Sequence, residues 1–377
     1  MHSDGIYRSF IAQKNLLLFF WLLAIVLPIE DGSAAEEAPR VTVSNVRRAF
    51  DNGEHNAFTD LIRWKGKFWL AFRSCADGHP ISPKGAIIVL SSPDAKDWTE
   101  ACRLKVPGRD TRGPHFLAFN GKLFVFIGAI YPDEETELKH SSMNRKNFGG
   151  TAFTEDGEAW SETTPLVGTK EYFVWGAASY KEKAYLSGRR TRRVPSEAGD
   201  GKFELLGETA LFESSDGLTW KITSVYHQER GDETSFLFDP NGDLVAATRR
   251  GGPYPARLLR SKPPYQEWIH KDFPFFIGGP LIKKWGDHYI VGGRRNSKDG
   301  KKTGLWWLRG DDLKSMAILP SGGDNSYPGF AAIDDSHGIV CWYSSHETDE
   351  AGKVITAIYT AELEINPLAP ATGKRER

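Results

Sequence analysis

The chain has 377 residues and a formal net charge of −1, so it lacks the charge excess that tracks nucleic acid or an anionic membrane surface. Aromatic residues make up 12% of it and glycines number 38, which is the composition of a β-rich globular protein with many turns and excludes a disordered chain. The three cysteines, Cys75, Cys102 and Cys341, have no metal-type spacing; one disulfide is open to them, and buried free thiols are the preferred reading.

The first element is a leader. Arg8 and Lys14 precede an apolar run from Leu16 to Leu27, which Pro28 ends and the small residues Gly32-Ser33-Ala34-Ala35 follow. A basic flank, a short apolar run and a small-residue site predict a secretory signal peptide over residues 1–35. The run is short for a membrane span, so an uncleaved anchor is the lesser alternative. Residues 36–377 are then a single domain, secreted or periplasmic.

After residue 40 one phrase recurs six times: an apolar run, a tight turn, and a second apolar run. The turns fall at Gly66, Gly121, Glu182, Gly242, Gly286 and His337, which are 44 to 61 residues apart. Asn-Gly and similar pairs suit hairpins, so each copy predicts two neighbouring antiparallel strands. A repeat of this length built from short strands predicts an all-β, six-bladed β-propeller whose ligand site lies at one mouth of the central channel.

Between the hairpins a second element recurs. It reads Ser92-Pro-Asp94-Ala-Lys-Asp-Trp98, Thr154-Glu-Asp156-Gly-Glu-Ala-Trp160 and Ser214-Ser-Asp216-Gly-Leu-Thr-Trp220, with a decayed copy from Ser261 to Trp268. The hydroxyl and carboxylate side chains accept hydrogen bonds from turn amides, and the Trp covers the hairpin, so these residues are structural. The boxes resemble the Asp-box, or BNR repeat, of the sialidase superfamily, and with their flanking strands the resemblance spans roughly residues 41 to 365.

Arginines recur at the ends of the second strands: Arg73, Arg189-Arg190, Arg249-Arg250 and Arg294-Arg295. Guanidinium groups converging on one rim suit a carboxylate or sulfate; solvated surface arginine is the plain alternative. In the fourth repeat Glu233 opens one strand and Arg249 closes its partner, which brings the two near each other. The resemblance implies that this Glu helps deprotonate a tyrosine nucleophile and that the Arg holds a substrate carboxylate. A structural ion pair is the other reading. Tyr327, in a small-residue loop before a strand, is the candidate nucleophile. A phenol needs a base and positive charge nearby to attack. Either Arg294 or Arg295 would be the last arginine of the family's triad.

The match departs from the family in the first repeat, where the family's first arginine falls at Ala57. Arg73 or Arg112 would have to substitute. For the acid/base carboxyl, Asp77 is the first candidate, with Asp60 and His55 as rivals. His55, Asp60, Asp77, His79 and His115 lack metal-motif spacing, so polar lining of a sugar pocket is preferred to a metal site, and no cofactor is expected. The expected activity is retaining hydrolysis of a terminal, anionic sugar, with a glycan as partner. A non-catalytic carbohydrate-binding propeller, using Trp175, Trp306, Tyr327 and Tyr343, is the first rival. A polysaccharide lyase with Tyr327 as base is the second.

Overall fold

The structure is a computed structural model that describes residues 38–130, 147–195, 203–228 and 230–366; the signal peptide expected over residues 1–35 lies outside them. The described residues are all β, with no helix. The first strand is β1 (Arg40–Phe50). Then come β2 (His55–Trp64), β3 (Lys67–Cys75), β4 (Ala86–Ser92) and β5 (Thr99–Leu104). The next group is β6 (Asp110–Phe119), β7 (Lys122–Ile130), β8 (Phe148–Thr154) and β9 (Thr164–Pro165). The third is β10 (Phe173–Tyr180), β11 (Lys183–Pro195), β12 (Phe203–Ser214) and β13 (Lys221–His227). It is followed by β14 (Gly231–Phe238), β15 (Leu244–Arg250), β16 (Arg257–Ser261) and β17 (Trp268–Asp272). Then come β18 (Gly278–Trp285), β19 (His288–Ser297), β20 (Gly300–Arg309) and β21 (Asp312–Ile318). The last are β22 (Asn325–Ala332), β23 (His337–Thr348) and β24 (Val354–Asn366).

Four groups, β6–β9, β10–β13, β14–β17 and β18–β21, are separate four-stranded antiparallel sheets. The remaining eight strands form one sheet in the order β22-β23-β24-β2-β3-β4-β5, with β1 paired to β24. Within it β24 and β2 meet only at the parallel pair His55↔Thr356. The first strands β2, β6, β10, β14, β18 and β22 each touch the next, and β22 touches β2, so they close a ring in a propeller-like arrangement.

All six predicted hairpins are present, because their turns are locally determined. At Lys65-Gly66 and Asn120-Gly121 both turn residues have positive φ, the geometry that matches the twist of paired strands. The boxes also behave as expected. Asp156 Oδ1 accepts from the amides of Glu158 (2.8 Å) and Ala159 (2.9 Å), and Asp216 Oδ1 from Leu218 and Thr219 (2.7 Å each). Trp160 meets Trp69 and Trp220 meets Phe126, with ring centroids 5.9 and 5.5 Å apart. These turns lie at the hairpin end of the strands, away from the mouth.

The apolar core is divided among the sheet interfaces. Trp69 and Val89 pack on Val125, Phe126 and Phe124 on Val174 and Phe212, and Trp285 and Trp307 on Phe330 and Trp342. Each such side chain removed from water contributes roughly 1.5–3 kcal/mol, so the ring is held by its seams. Cys75, Cys102 and Cys341 are free thiols, the first and last buried.

Candidate functional site

Each of the six first strands carries one β-bulge at the same place, two residues facing one on the neighbouring strand. The bulged pairs are Phe58-Thr59, Gly113-Pro114, Trp175-Gly176, Asp232-Glu233, Gly279-Pro280 and Tyr327-Pro328. A bulge bends the strand and re-aims its side chains. Here it turns Phe58, Trp175, Glu233 and Tyr327 toward one cavity of about 180 Å³, which His79, Arg112, Arg189 and Arg249 also line.

Tyr327 and Glu233 are in direct contact. The Tyr327 hydroxyl donates to Glu233 Oε1 at 2.6 Å, and Arg249 Nη1 donates to the same oxygen at 3.0 Å. Glu233 Oε2 accepts from the Gly279 amide at 3.1 Å. Burial works against ionisation of Glu233, but Arg249, Arg189 and the Tyr327 hydrogen bond outweigh it and hold it below the usual carboxylate range. Burial and the Glu233 charge push the Tyr327 phenol well above its usual range. The proton therefore sits on Tyr327 and points at a carboxylate able to take it.

Tyr327 is fixed as well as paired. Its backbone has φ +50°, left-handed and unfavourable for a tyrosine. Thr59 Oγ1 donates to its carbonyl, and its ring packs between Phe58 (4.9 Å) and Trp175 (5.3 Å). Gly279 makes room for it, since a Cβ there would lie 2.7 Å from the tyrosine ring.

The arginines do not share one equivalent position, as the sequence suggested. Arg73, Arg250 and Arg294 pair with the residue before the bulge, whereas Arg249 stands opposite the bulge and Arg189 pairs one residue before the position of Val174. Their surroundings differ even among the three that share a register. Arg249 and Arg189 form ion pairs with the two oxygens of Asp232, at 3.3 and 3.1 Å. Arg294 is at 3.5 Å from Asp324 and donates to the Asn325 carbonyl, whereas Arg295 turns away and lies over the Phe275 ring. Arg294, not Arg295, faces the mouth.

Arg73 is corrected as a ligand-binding candidate. It is fully buried, donating to Asp110 (2.9 Å) and to the carbonyls of Gly78 and Pro80. Arg112 reaches the cavity wall, 5.4 Å above the Phe58 ring, while bonded to Asp110 and to the carbonyls of His79 and Pro80. Asp77 is likewise corrected as an acid. Ser82 Oγ (2.6 Å) and Lys84 Nζ (2.7 Å) occupy its two oxygens, and the Lys84 bond holds it below the usual carboxylate range. Its contacts lie in its own loop and not with the Tyr327 cluster. Asp60 is buried and accepts from the amides of Leu61 (2.9 Å) and Phe116 (2.7 Å), so it joins two first strands, beside a small cavity that Trp175 and Tyr327 also line. Trp306 is buried against Phe275, away from this cavity.

His55 belongs to a network that the sequence did not reveal. Asp324 Oδ2 bonds His55 Nε2 (3.0 Å) and His79 Nδ1 (2.7 Å), and Oδ1 accepts from Tyr343 (2.9 Å). The His55, His79 and Asp324 donor atoms lie within 4.8 Å of one another, a spacing open to a cation. Arg294 beside the same carboxylate opposes added positive charge. From the sequence, Arg189 reads only as one of the rim arginines and His79 only as polar pocket lining, while Asp232 and Asp324 are not nominated. The Asp-Glu dipeptide at the bulge and the Gly-Gly-Asp-Asn run before Tyr327 were the available signals.

No protein-family model and no curated protein matches the sequence. Solved structures do. A Dyadobacter fermentans protein of unknown function aligns with a TM-score of 0.70 at 18% identity, covering 87% of this chain and all of that one. The Trypanosoma rangeli sialidase aligns with a TM-score of 0.59 at 11% identity over 86% of this chain, which spans about 60% of that enzyme's length. The phage phi92 endosialidase aligns with a TM-score of 0.60 at 9% identity, covering 88% of this chain and 71% of its own. The fold is thus a sialidase-like propeller.

Proposed function

We propose that this chain is an exported, exo-acting glycoside hydrolase that cleaves a terminal anionic sugar with retention of configuration. On this reading the eight-stranded sheet is two blades joined at one residue pair, so the propeller has six blades, its turn boxes are Asp-boxes, and residues 1–35 are a cleaved signal peptide. Mature residues 36–377 form one domain in the secreted or periplasmic space, with a glycan as partner and neither nucleic acid nor membrane.

The observation that carries the reading is the 2.6 Å hydrogen bond from Tyr327 to Glu233, with Arg249 on the same oxygen. A buried phenol is a poor nucleophile because its proton is held tightly. Glu233 accepts that proton as Tyr327 Oη attacks the anomeric carbon, and the pair passes from one negative charge to none as the carbon–oxygen bond forms. The bond to the leaving oxygen breaks, leaving a glycosyl-tyrosine. Water displaces the tyrosine, which takes its proton back from Glu233. Arg249 and Arg294, with Arg112 and Arg189 at the wall, hold an acidic substituent of the sugar. The Trypanosoma rangeli sialidase has been obtained as a covalent intermediate with 2,3-difluorosialic acid, at 10% identity to this chain.

The test is a panel of chromogenic sialosides, uronides and neutral glycosides with purified residues 36–377, beside Tyr327→Phe and Glu233→Gln. Turnover of an anionic glycoside that falls at least about 10³-fold in Tyr327→Phe supports the reading. Undiminished turnover in Glu233→Gln removes its assigned role. Glycan binding without turnover favours the carbohydrate-binding propeller, and an ultraviolet-absorbing unsaturated uronate product favours the lyase.

A further inference from the structure

We infer that His79, oriented by Asp324, is the group that protonates the leaving oxygen. This rests on the hydrolase reading above and fills the place from which the structure removes Asp77. The reaction needs a proton donor across the cavity from Tyr327. Asp77 is ionised against Lys84, and both oxygens of Asp60 are taken by main-chain amides. Apart from the arginines, Glu233 and Tyr327, His79 is the titratable side chain among the described residues lining the cavity. Imidazole is the side chain whose ordinary titration lies near neutrality.

Three features make His79 a positioned acid and not a surface histidine. Its side chain is 51% exposed at the cavity wall, with Nδ1 at 2.7 Å from Asp324 Oδ2, so Nε2 is left for the cavity. Its loop is clamped, because Arg73 and Arg112 between them hold the carbonyls of Gly78, His79 and Pro80 at 2.9–3.1 Å. Phe58 lies between the two reacting groups, edge-on to His79 at 5.4 Å and to Tyr327 at 4.9 Å. The charged and titratable groups around the ring are Asp324, His55 at 5.3 Å between ring centroids, and Arg112.

Asp324 is the positioning residue. Burial would raise its pKa, but the hydrogen bonds from His55 and His79 keep it far below the usual carboxylate range. An ionised Asp324 accepts from Nδ1–H, which fixes the tautomer and the orientation of the ring. In the first step the Nε2 proton passes to the glycosidic oxygen as the carbon–oxygen bond breaks. In the second step Nε2 takes a proton from the attacking water, which restores the starting state.

The test compares leaving groups on one sugar: matched 4-nitrophenyl and methyl glycosides of sialic acid and of glucuronic acid. A nitrophenolate departs without protonation, whereas methoxide does not. His79→Gln is expected to lose about 10²–10⁴-fold in kcat on the methyl glycoside and far less on the nitrophenyl one. Tyr327→Phe loses both. Asp324→Asn is expected to lose kcat on the methyl glycoside and far less on the nitrophenyl one, a split that a purely structural role would not produce. Equal loss on both glycosides in His79→Gln, or no loss on either, overturns the assignment while leaving the hydrolase standing. Absence of wild-type turnover on all four glycosides overturns both.

Discussion

Arg73 meets Asp110 at one corner of the ring, and Arg294 meets Asp324 at another. The two arginines share a register, each paired with the residue before a bulge. The two aspartates share one too, since Asp110 stands two residues before Arg112 and Asp324 two before Ser326, and each of those residues precedes the next bulge. At the first corner the carboxylate is saturated by Arg73, Arg112 and the Ser82 amide, and Arg73 and Asp110 are both fully buried. At the second the arginine stands off, the carboxylate is partly open to solvent, and two histidines and a tyrosine fill the gap. The repeat supplies the pair, and the neighbours decide whether it becomes a staple or holds a proton donor in place.

Substitution separates the two corners. Asp110→Asn leaves Arg73 charged in the interior and is expected to cost about 3–5 kcal/mol, a drop in Tm on the order of 5–10 °C by calorimetry. Asp324→Asn keeps an acceptor for one histidine and should cost about 2 kcal/mol or less. Equal losses would erase the distinction.

Acid stability sharpens it further. Burial pulls His115 and His227 down to about 4. As pH falls below about 6.5 the unfolded chain takes up protons that the folded state refuses. Stability from these two groups is full above that pH and is lost progressively toward pH 4. Each contributes about 3 kcal/mol at 1.36 kcal/mol per unit, so His227→Asn should flatten the Tm profile between pH 6.5 and 4. Asp324 stays ionised throughout this window; a profile unchanged by His227→Asn would show that the loss arises elsewhere. The smallest effect is expected at Asp77→Asn, with no measurable change in Tm or turnover, because its partners lie in its own exposed loop.

What could be read in the sequence follows from how local each feature is. The hairpins at Gly66 and Gly121 and the boxes at Asp156 and Asp216 rest on contacts within a few residues, so residue type and spacing expose them. The Glu233–Arg249 contact was legible for the same reason, since one hairpin joins the two. The bulges were not. Their pairs range from Gly113-Pro114 to Asp232-Glu233, with no common residue type, and a bulge shows only when strands are in register. In the β14–β17 sheet that extra residue sets Arg249 opposite Asp232 and Glu233. Asp324 escaped notice because its two histidine partners are 269 and 245 residues away.

The pairing of β1 with β24 has a consequence for how the molecule comes into being. Thr42 bonds Asn366 across 324 residues, and β1 runs beside β24 along most of its length. The last sheet therefore takes its outer strand from the opposite end of the chain, as a buckle takes a strap. During synthesis the four separate sheets have all their strands available in turn, while β1 must wait unpaired until β24 arrives. Such distant pairing is entropically slow, so the last sheet is expected to close after the four separate ones.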